Sequence, residues 1–292
     1  MSPNVLPAAR KSAHDAAHKA VRWGTAKMGY TVLWPTCYNG VPRFDDLGAE
    51  FWSRRAEMPG VELDADRALA YLREDLAPHL AEFAPSETAV TGTYYVPNGG
   101  FESTDGSVTW AMVRKYRPQH VLELGAGFST LLIRDALAAN CRGRQTVVDP
   151  FPRVAELGDG KIDLRRASAA DLTAEDFEAL AADDILFVDT THTVKVGSEV
   201  NHIILEGLPR LASGVLVHFH DIFLPFEYPR QQVEGQGYHW AEQYLLQAFL
   251  AFNKDFEILI PLHLLAREHP GQLQGILPLA PTPAGSIWLR RR

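Results

Sequence analysis

Two short stretches hold most of the reactive side chains of this protein. FVDTTH (187–192) sets Asp189 and His192 three residues apart, and VHFHD (217–221) sets His220 beside Asp221. Each stretch begins in an apolar run that reads as a buried strand. The carboxyl ends of strands line the ligand crevice of open α/β sheets, so these polar residues are expected to converge there. Asp189, His192, His220 and Asp221 then form four groups able to take a metal ion or a proton. A buried carboxylate pair without counter-charge is costly, which argues for a bound cation or an internal proton. Mixed His and carboxylate donors suit Mg, Mn or Fe(II). An imidazole titrates near neutral pH, so His192 is the candidate base and Asp189 its companion. The plain alternatives are that His218 is a hydrogen-bonded core histidine, that His202 is structural, and that Asp221 caps a turn.

A second feature precedes these. In VLELGAGFST (121–130), Gly125 and Gly127 permit a tight turn between a strand and a helix, where a ligand can approach the backbone. A dinucleotide fingerprint wants a third glycine at position 130, where Thr130 stands. Glu123 is expected to face the crevice from the strand's end, repelling a pyrophosphate and suiting a cationic ligand. S-adenosylmethionine (AdoMet) carries both an ammonium and a sulfonium. Asp149 ends the next strand, where an acid can take both ribose hydroxyls. The bland alternative is a strand–turn–helix with a surface Glu.

The elements that must position these groups follow from the apolar pattern. Strands are expected at 120–124, 145–149, 161–167, 184–189, 214–221, 256–261 and 285–291. Helices are expected at 129–139, 174–182, 198–211 and 239–253. Strands alternating with helices imply a mostly parallel sheet buried on both faces. The last two strands, joined by a Pro- and Gly-rich stretch read as non-helical, suggest an antiparallel edge. LDADRALAYLREDLAPHLAEF (63–83) reads as a capped helix. Residues 1–100 are therefore expected to form a helical N-terminal extension or lid, and residues 101–292 an AdoMet-binding domain.

Composition limits the partners. The 292 residues are 46% hydrophobic and 22% charged, ordinary for a globular protein, and 36 acidic against 28 basic side chains give a net charge of −8. Such a surface disfavours nucleic acid and anionic lipid, so a small molecule is the expected partner, with a homodimer one option for assembly. Only Cys37 and Cys141 occur, without metal-ligand spacing, which fits a reducing cytoplasm. No apolar run approaches the ~18 residues of a membrane-spanning helix, and the basic N-terminus lacks the apolar core of a signal peptide.

On E-x-G-x-G with the trailing Asp149, residues 95–292 resemble the class I AdoMet-dependent methyltransferases. The resemblance implies an α/β, Rossmann-like fold with a mostly parallel seven-stranded sheet and a reversed edge strand. It places Glu123, Gly125, Gly127, Ser129, Asp149 and Asp189 around the cofactor, and Ser168, with Ala169 and Asp171, beside the adenine. The block 187–229 looks like the metal-dependent O-methyltransferases of the catechol and caffeoyl type, closest to bacterial enzymes acting on sugars and natural products. Those bind a divalent ion through an Asp after strand four and an Asp-Asn pair after strand five. Asp189 and Asp221 match the two aspartates. Ile222 stands where the Asn belongs, so the resemblance assigns the third ligand to His220. A Lys three residues past the first Asp is the base in the catechol type, and His192 holds that place.

The expected activity is methyl transfer from AdoMet to a hydroxyl of a small molecule, with divalent-metal assistance. The rival readings are a non-methylating AdoMet lyase or cyclase, an iron oxygenase-like site and a non-catalytic subunit. Phe223, Phe226, Tyr228 and Trp240 are candidates for an apolar acceptor pocket, with Arg230 to hold an acidic group. Tyr95, Asn98, Phe101 and Asp105 are candidates for the methionine end of the cofactor.

Overall fold

The structure, a computed structural model, describes residues 8–32, 40–152 and 162–292. It divides into two units, residues 1–48 and 49–292. In the first, α1 (Ala8–Lys27) is a single helix. Residues 49–100 belong to the second unit together with the sheet. Cys37 and Lys161 lie outside the described residues. No helix among the described residues is long and apolar enough to cross a membrane.

The second unit is built on seven strands: β1 (His120–Leu124), β2 (Arg144–Val148), β3 (Ile162–Arg165), β4 (Ile185–Val188), β5 (Leu216–His220), β6 (Phe256–Pro261) and β7 (Ser286–Arg291). Its helices are α2 (Ala65–Ala70), α3 (Ala77–Leu80), α4 (Ser103–Tyr116), α5 (Phe128–Asn140), α6 (Ala174–Glu178), α7 (Glu199–His202), α8 (Glu242–Leu250), α9 (Leu262–Glu268) and α10 (Pro270–Gln274). The expected 63–83 helix is present as α2 and α3 joined by a wider turn over Tyr71–Leu76, with Asp64 capping the first turn. Two expectations fail. The stretch between β6 and β7 holds α9 and α10, because Leu262, Leu264 and Leu265 give it one buried face. Residues 92–110, where no helix is expected, contain the start of α4, a helix so deeply packed that even Ser103, Thr104 and Asp105 are buried.

The strands lie in the order β3-β2-β1-β4-β5-β7-β6. β1 to β5 pair in parallel, and β7 runs antiparallel to both β5 and β6. This is the mostly parallel, seven-stranded sheet with one reversed strand that the sequence implies. Every residue of β1, β4 and β5 is buried, as required of strands covered on both faces. Alternate residues feed two cores. Val121, Ile185, Phe187, Leu216 and Trp288 face α2 to α5, α9 and α10, whereas Leu122, Leu186, Val188, Val217 and Ile287 face α6 to α8. The chain changes winding direction between β1 and β4, so a crevice opens at the carboxyl ends of those two strands.

Candidate active site

The glycine turn and the β4 end meet at that switch point. Gly125 N–H donates to the Val148 carbonyl (2.9 Å), and Asp189 N–H donates to the Leu124 carbonyl (2.9 Å). Gly125 has φ +95°, and a Cβ there would stand 1.8 Å from the Asp189 carbonyl oxygen. Only glycine fits, because both the backbone conformation and the close approach exclude a side chain. At Gly127 an added Cβ would meet nothing nearer than Ser129 Oγ at 4.0 Å, so that side of the turn is open.

Glu123 is placed differently from the sequence expectation. It is fully buried beneath the turn and does not face the crevice. Its carboxylate accepts from Ser129 Oγ (2.7 Å), Thr130 Oγ1 (3.0 Å) and Gln145 Nε2 (2.6 Å). Burial pushes its pKa up to about 8 against the pull of those donors. Thr130 explains the missing third glycine, since its hydroxyl also accepts from Gly127 N–H (3.0 Å) and ties the turn to Glu123. Ser129 is equally buried and serves Glu123.

Asp149 stays half-exposed at the end of β2. One oxygen accepts from Ala126 N–H (2.8 Å) inside the glycine turn and the other from Phe151 N–H (2.6 Å). Ser168 is half-buried past β3 and caps a short turn through Ala170 N–H (3.2 Å), with Asp171 returning to its backbone. Tyr95 packs edge-on against Phe128, the first residue of α5. The Asn98 side chain bonds to Tyr95, Gly100 and Phe101 of its own loop, and its N–H donates to Glu102 Oε1 (2.9 Å).

The four groups from β4 and β5 do converge. His192 Nε2 lies 3.4 Å from Asp189 Oδ1 and 3.4 Å from Asp221 Oδ2. His220 Nδ1 lies 3.8 Å from Asp189 Oδ2 and 3.7 Å from Asp221 Oδ2. One donor atom each from Asp189, His220 and Asp221 fall within 4.8 Å of one another, a spacing a single cation can bridge. The imidazoles are buried, while the aspartates keep 30% and 21% of their side-chain surface exposed. Burial opposes every charge here, yet His220 and His192 hold Asp189 down to about 2, and Asp189 and Asp221 push His220 up to about 10. His192 is likewise raised well above the usual imidazole value, by Asp189 and Glu242. Asp221 (φ +53°) and His192 (φ +55°) both sit in the left-handed region that side chains avoid.

One member of the cluster escaped the sequence reading, and a second, Asp105, is expected there only at the methionine end of the cofactor. Glu242, the first residue of α8, is fully buried with Oε2 2.8 Å from His192 Nδ1. Asp105, buried in α4, accepts from Ser286 Oγ (2.6 Å) and feels His220 electrostatically. Their signal was weak, because each is a lone acid at a helix start, where an acid is ordinary. His218 is a core histidine, stacked on Phe187 at 4.0 Å, but neither ring nitrogen has a hydrogen-bond partner among the described residues. Burial accordingly drives its pKa well below the usual value. His202 is structural, bonded to the Leu172 carbonyl.

Most of the aromatic loop is packing. Phe223, Phe226 and Tyr228 are buried, and their rings pack on one another and on His263. Arg230 is exposed and paired with Glu234. Trp240 is the exception, half-buried with its ring 4.7 Å from that of His192. A cavity of about 280 Å³ between 60–67 and 250–258 includes none of these residues.

Residues 122–222 match a protein family described as a methyltransferase domain. The match runs from the glycine turn to the residue after Asp221, and so spans both halves of the site. Over those residues the chain is similar to methyltransferase domains. An uncharacterized protein of Archaeoglobus fulgidus is 30% identical over 101 residues, 33% of this chain and 45% of that protein, so the chain matches less than half the length of this relative. Among solved structures, the O-methyltransferase TomG of Streptomyces achromogenes, involved in tomaymycin synthesis and bound to SAM, is 16% identical. It aligns over 79% of this chain and 91% of its own, with TM-score 0.42. An O-methyltransferase from Bacillus cereus bound to SAH is 14% identical over 78% of this chain and 91% of its own, with TM-score 0.41.

Proposed function

We propose that the chain transfers the methyl group of AdoMet to a hydroxyl of a small molecule, with a divalent cation held by Asp189, His220 and Asp221. The observation that carries this reading is the placement of the acid–histidine cluster directly beside the glycine turn, through the Gly125–Asp189 contact. A cofactor on the turn and an acceptor over the cluster would be neighbours.

The residues fit both groups. Gly127 leaves its side of the turn open, and Asp149 keeps part of its carboxylate exposed beside it, where ribose hydroxyls can be accepted. Asp189, His220 and Asp221 offer a mixed oxygen and nitrogen donor set within one ion's reach. AdoMet, when bound, supplies a methyl group on a cationic sulfur. A divalent ion, when bound, lowers the pKa of an acceptor hydroxyl.

The chain's own residues do the rest. With AdoMet bound, the acceptor oxygen would bond to the methyl carbon as the methyl C–S bond broke and the demethylated nucleoside left, and His192 Nε2, the ring atom turned toward the cluster, would take the hydroxyl proton. Surrounded by Asp189, Asp221 and Glu242, His192 holds a proton until positive charge matches the two aspartates. Trp240 covers one side of the His192 ring and helps to keep water from it.

The test is calorimetric titration of AdoMet and its demethylated product into metal-stripped protein, repeated with Mg and Mn, followed by an acceptor panel of catechols and sugars. Micromolar AdoMet binding without metal and methyl transfer that needs metal would support the reading. Absence of binding by either nucleoside under all conditions would overturn it.

A further inference from the structure

Among the described residues the Glu242 side chain hydrogen-bonds to His192 alone, and the two residues grip each other twice. The side-chain contact is Oε2 to Nδ1 at 2.8 Å. The backbone contact runs the other way, as the His192 carbonyl accepts from the N–H groups of Ala241 (2.9 Å) and Glu242 (3.1 Å) at the start of α8. This second grip falls on a residue whose backbone is left-handed, so the ring is held where an unconstrained histidine would not sit. Packing alone does not ask for an acid at position 242. α8 is otherwise anchored by Gln243, Leu246 and Leu250, and among the described residues Glu242 Oε1 has no hydrogen-bond partner although the residue is fully buried. A half-satisfied buried carboxylate costs stability that an apolar side chain would not.

We propose that Glu242 is a positioning residue that fixes the His192 ring. Its carboxylate accepts a hydrogen bond from Nδ1–H and thereby presents Nε2, and only Nε2, to the face shared with Asp189 and Asp221. A carboxylate on one ring nitrogen sets which atom the other face of an imidazole offers, whether that atom meets a proton or a metal. The role assigned to Nε2 rests on the methyltransferase reading, whereas the orientation of the ring does not.

Glu242→Gln and Glu242→Met test the assignment. Each is expected to lower kcat about 10- to 100-fold, with the KM for AdoMet unchanged and a melting temperature equal to or above that of the wild type. In a His192→Asn background the same substitutions should cost nothing further, because the residue acts through the ring. A lowered melting temperature with unchanged kcat, or an equal fold-loss in both backgrounds, would overturn the proposal.

A second measurement uses the unaltered protein. In a long-range proton–nitrogen spectrum of histidine-labelled wild type, the His192 signal is the one lost in His192→Asn, and its Nδ1 is expected to carry a proton. A bare Nδ1 with the proton on Nε2 would overturn the proposal whatever the variants do. If the wild type methylates no acceptor, the methyltransferase reading fails while this spectrum still decides the orientation.

Discussion

The glycine turn after β1 and the cluster after β4 and β5 stand side by side, and each contains buried acids, yet they treat those acids in opposite ways. Under the turn, Glu123 is surrounded by three hydrogen-bond donors and burial favours its neutral form. In the cluster, Asp189 is held ionised by two histidines that are themselves held protonated by acids. The first arrangement is self-contained and gives a rigid platform. The second concentrates charge on partly exposed carboxylates, which is stable only if something cationic or protic is always near. Buried acids therefore do not mark chemistry by themselves; the discriminating feature is whether their partners exhaust them.

The strongest way to break this contrast is to remove a group from the charged side. His192→Asn is expected to lower methyl transfer about 10²- to 10⁴-fold, the usual worth of a positioned base. AdoMet affinity should change little, because His192 is not on the glycine turn. Single-turnover methyl transfer and calorimetry on the same preparation check both halves. A loss of binding as large as the loss of rate would show that the two regions are not separable.

Next in size is a pair of substitutions within the turn. Gly125→Ala drives a Cβ into the Asp189 carbonyl at a positive φ, and at least about 3 kcal/mol of stability should be lost. Gly127→Ala meets open space, so its stability cost should stay within about 1 kcal/mol, while AdoMet binding weakens because the methyl occupies the approach. Urea unfolding and calorimetry separate the two outcomes. Equal destabilisation by both would mean that Gly127, too, is there only for the fold.

A smaller effect is expected at Asp149, whose carboxylate is shared between the turn and the crevice. Asp149→Ala should weaken AdoMet by about 1.5–3 kcal/mol, the worth of a charged hydrogen bond, with Mn binding unaffected. Asp221→Ala should do the reverse, and paired titrations of nucleoside and metal read the double dissociation.

How far the sequence alone reaches follows the same division. The sheet, its two covered faces and the strand ends were legible, because fully buried strands leave continuous apolar runs such as ILFV and LVHFH. The convergence of Asp189, His192, His220 and Asp221 was legible too, since strand position fixes where their backbones end. Side-chain direction was not. Glu123 lies one residue before the end of β1 and points into the α4–α5 side with Gln145, a fact set by pleat and packing. Glu242 and Asp105 come from helices that fold back over the sheet, so only tertiary contact brings them to the histidines. The aromatic loop misled for a related reason: Phe223 and Tyr228 find His263 and Gln243, distant in sequence, and are spent on packing.

The comparison sharpens further from the neutral side. The folded-state pKa of Glu123, about 8, lies above its ordinary value of 4.5. The folded protein thus binds this proton more tightly than the unfolded chain, and the stability it contributes is complete below about pH 4.5. That contribution declines as pH rises toward 8, by up to about 1.4 kcal/mol per pH unit inside the window. Glu123→Gln, which keeps the shape and cannot ionise, should remove this decline. Its melting temperature should therefore gain on the wild type between pH 5 and about 8 and run parallel to it at higher pH, a comparison made by thermal melts in matched buffers. If both proteins lose stability equally over that window, Glu123 is ionised beneath the turn, and the two regions handle their acids alike.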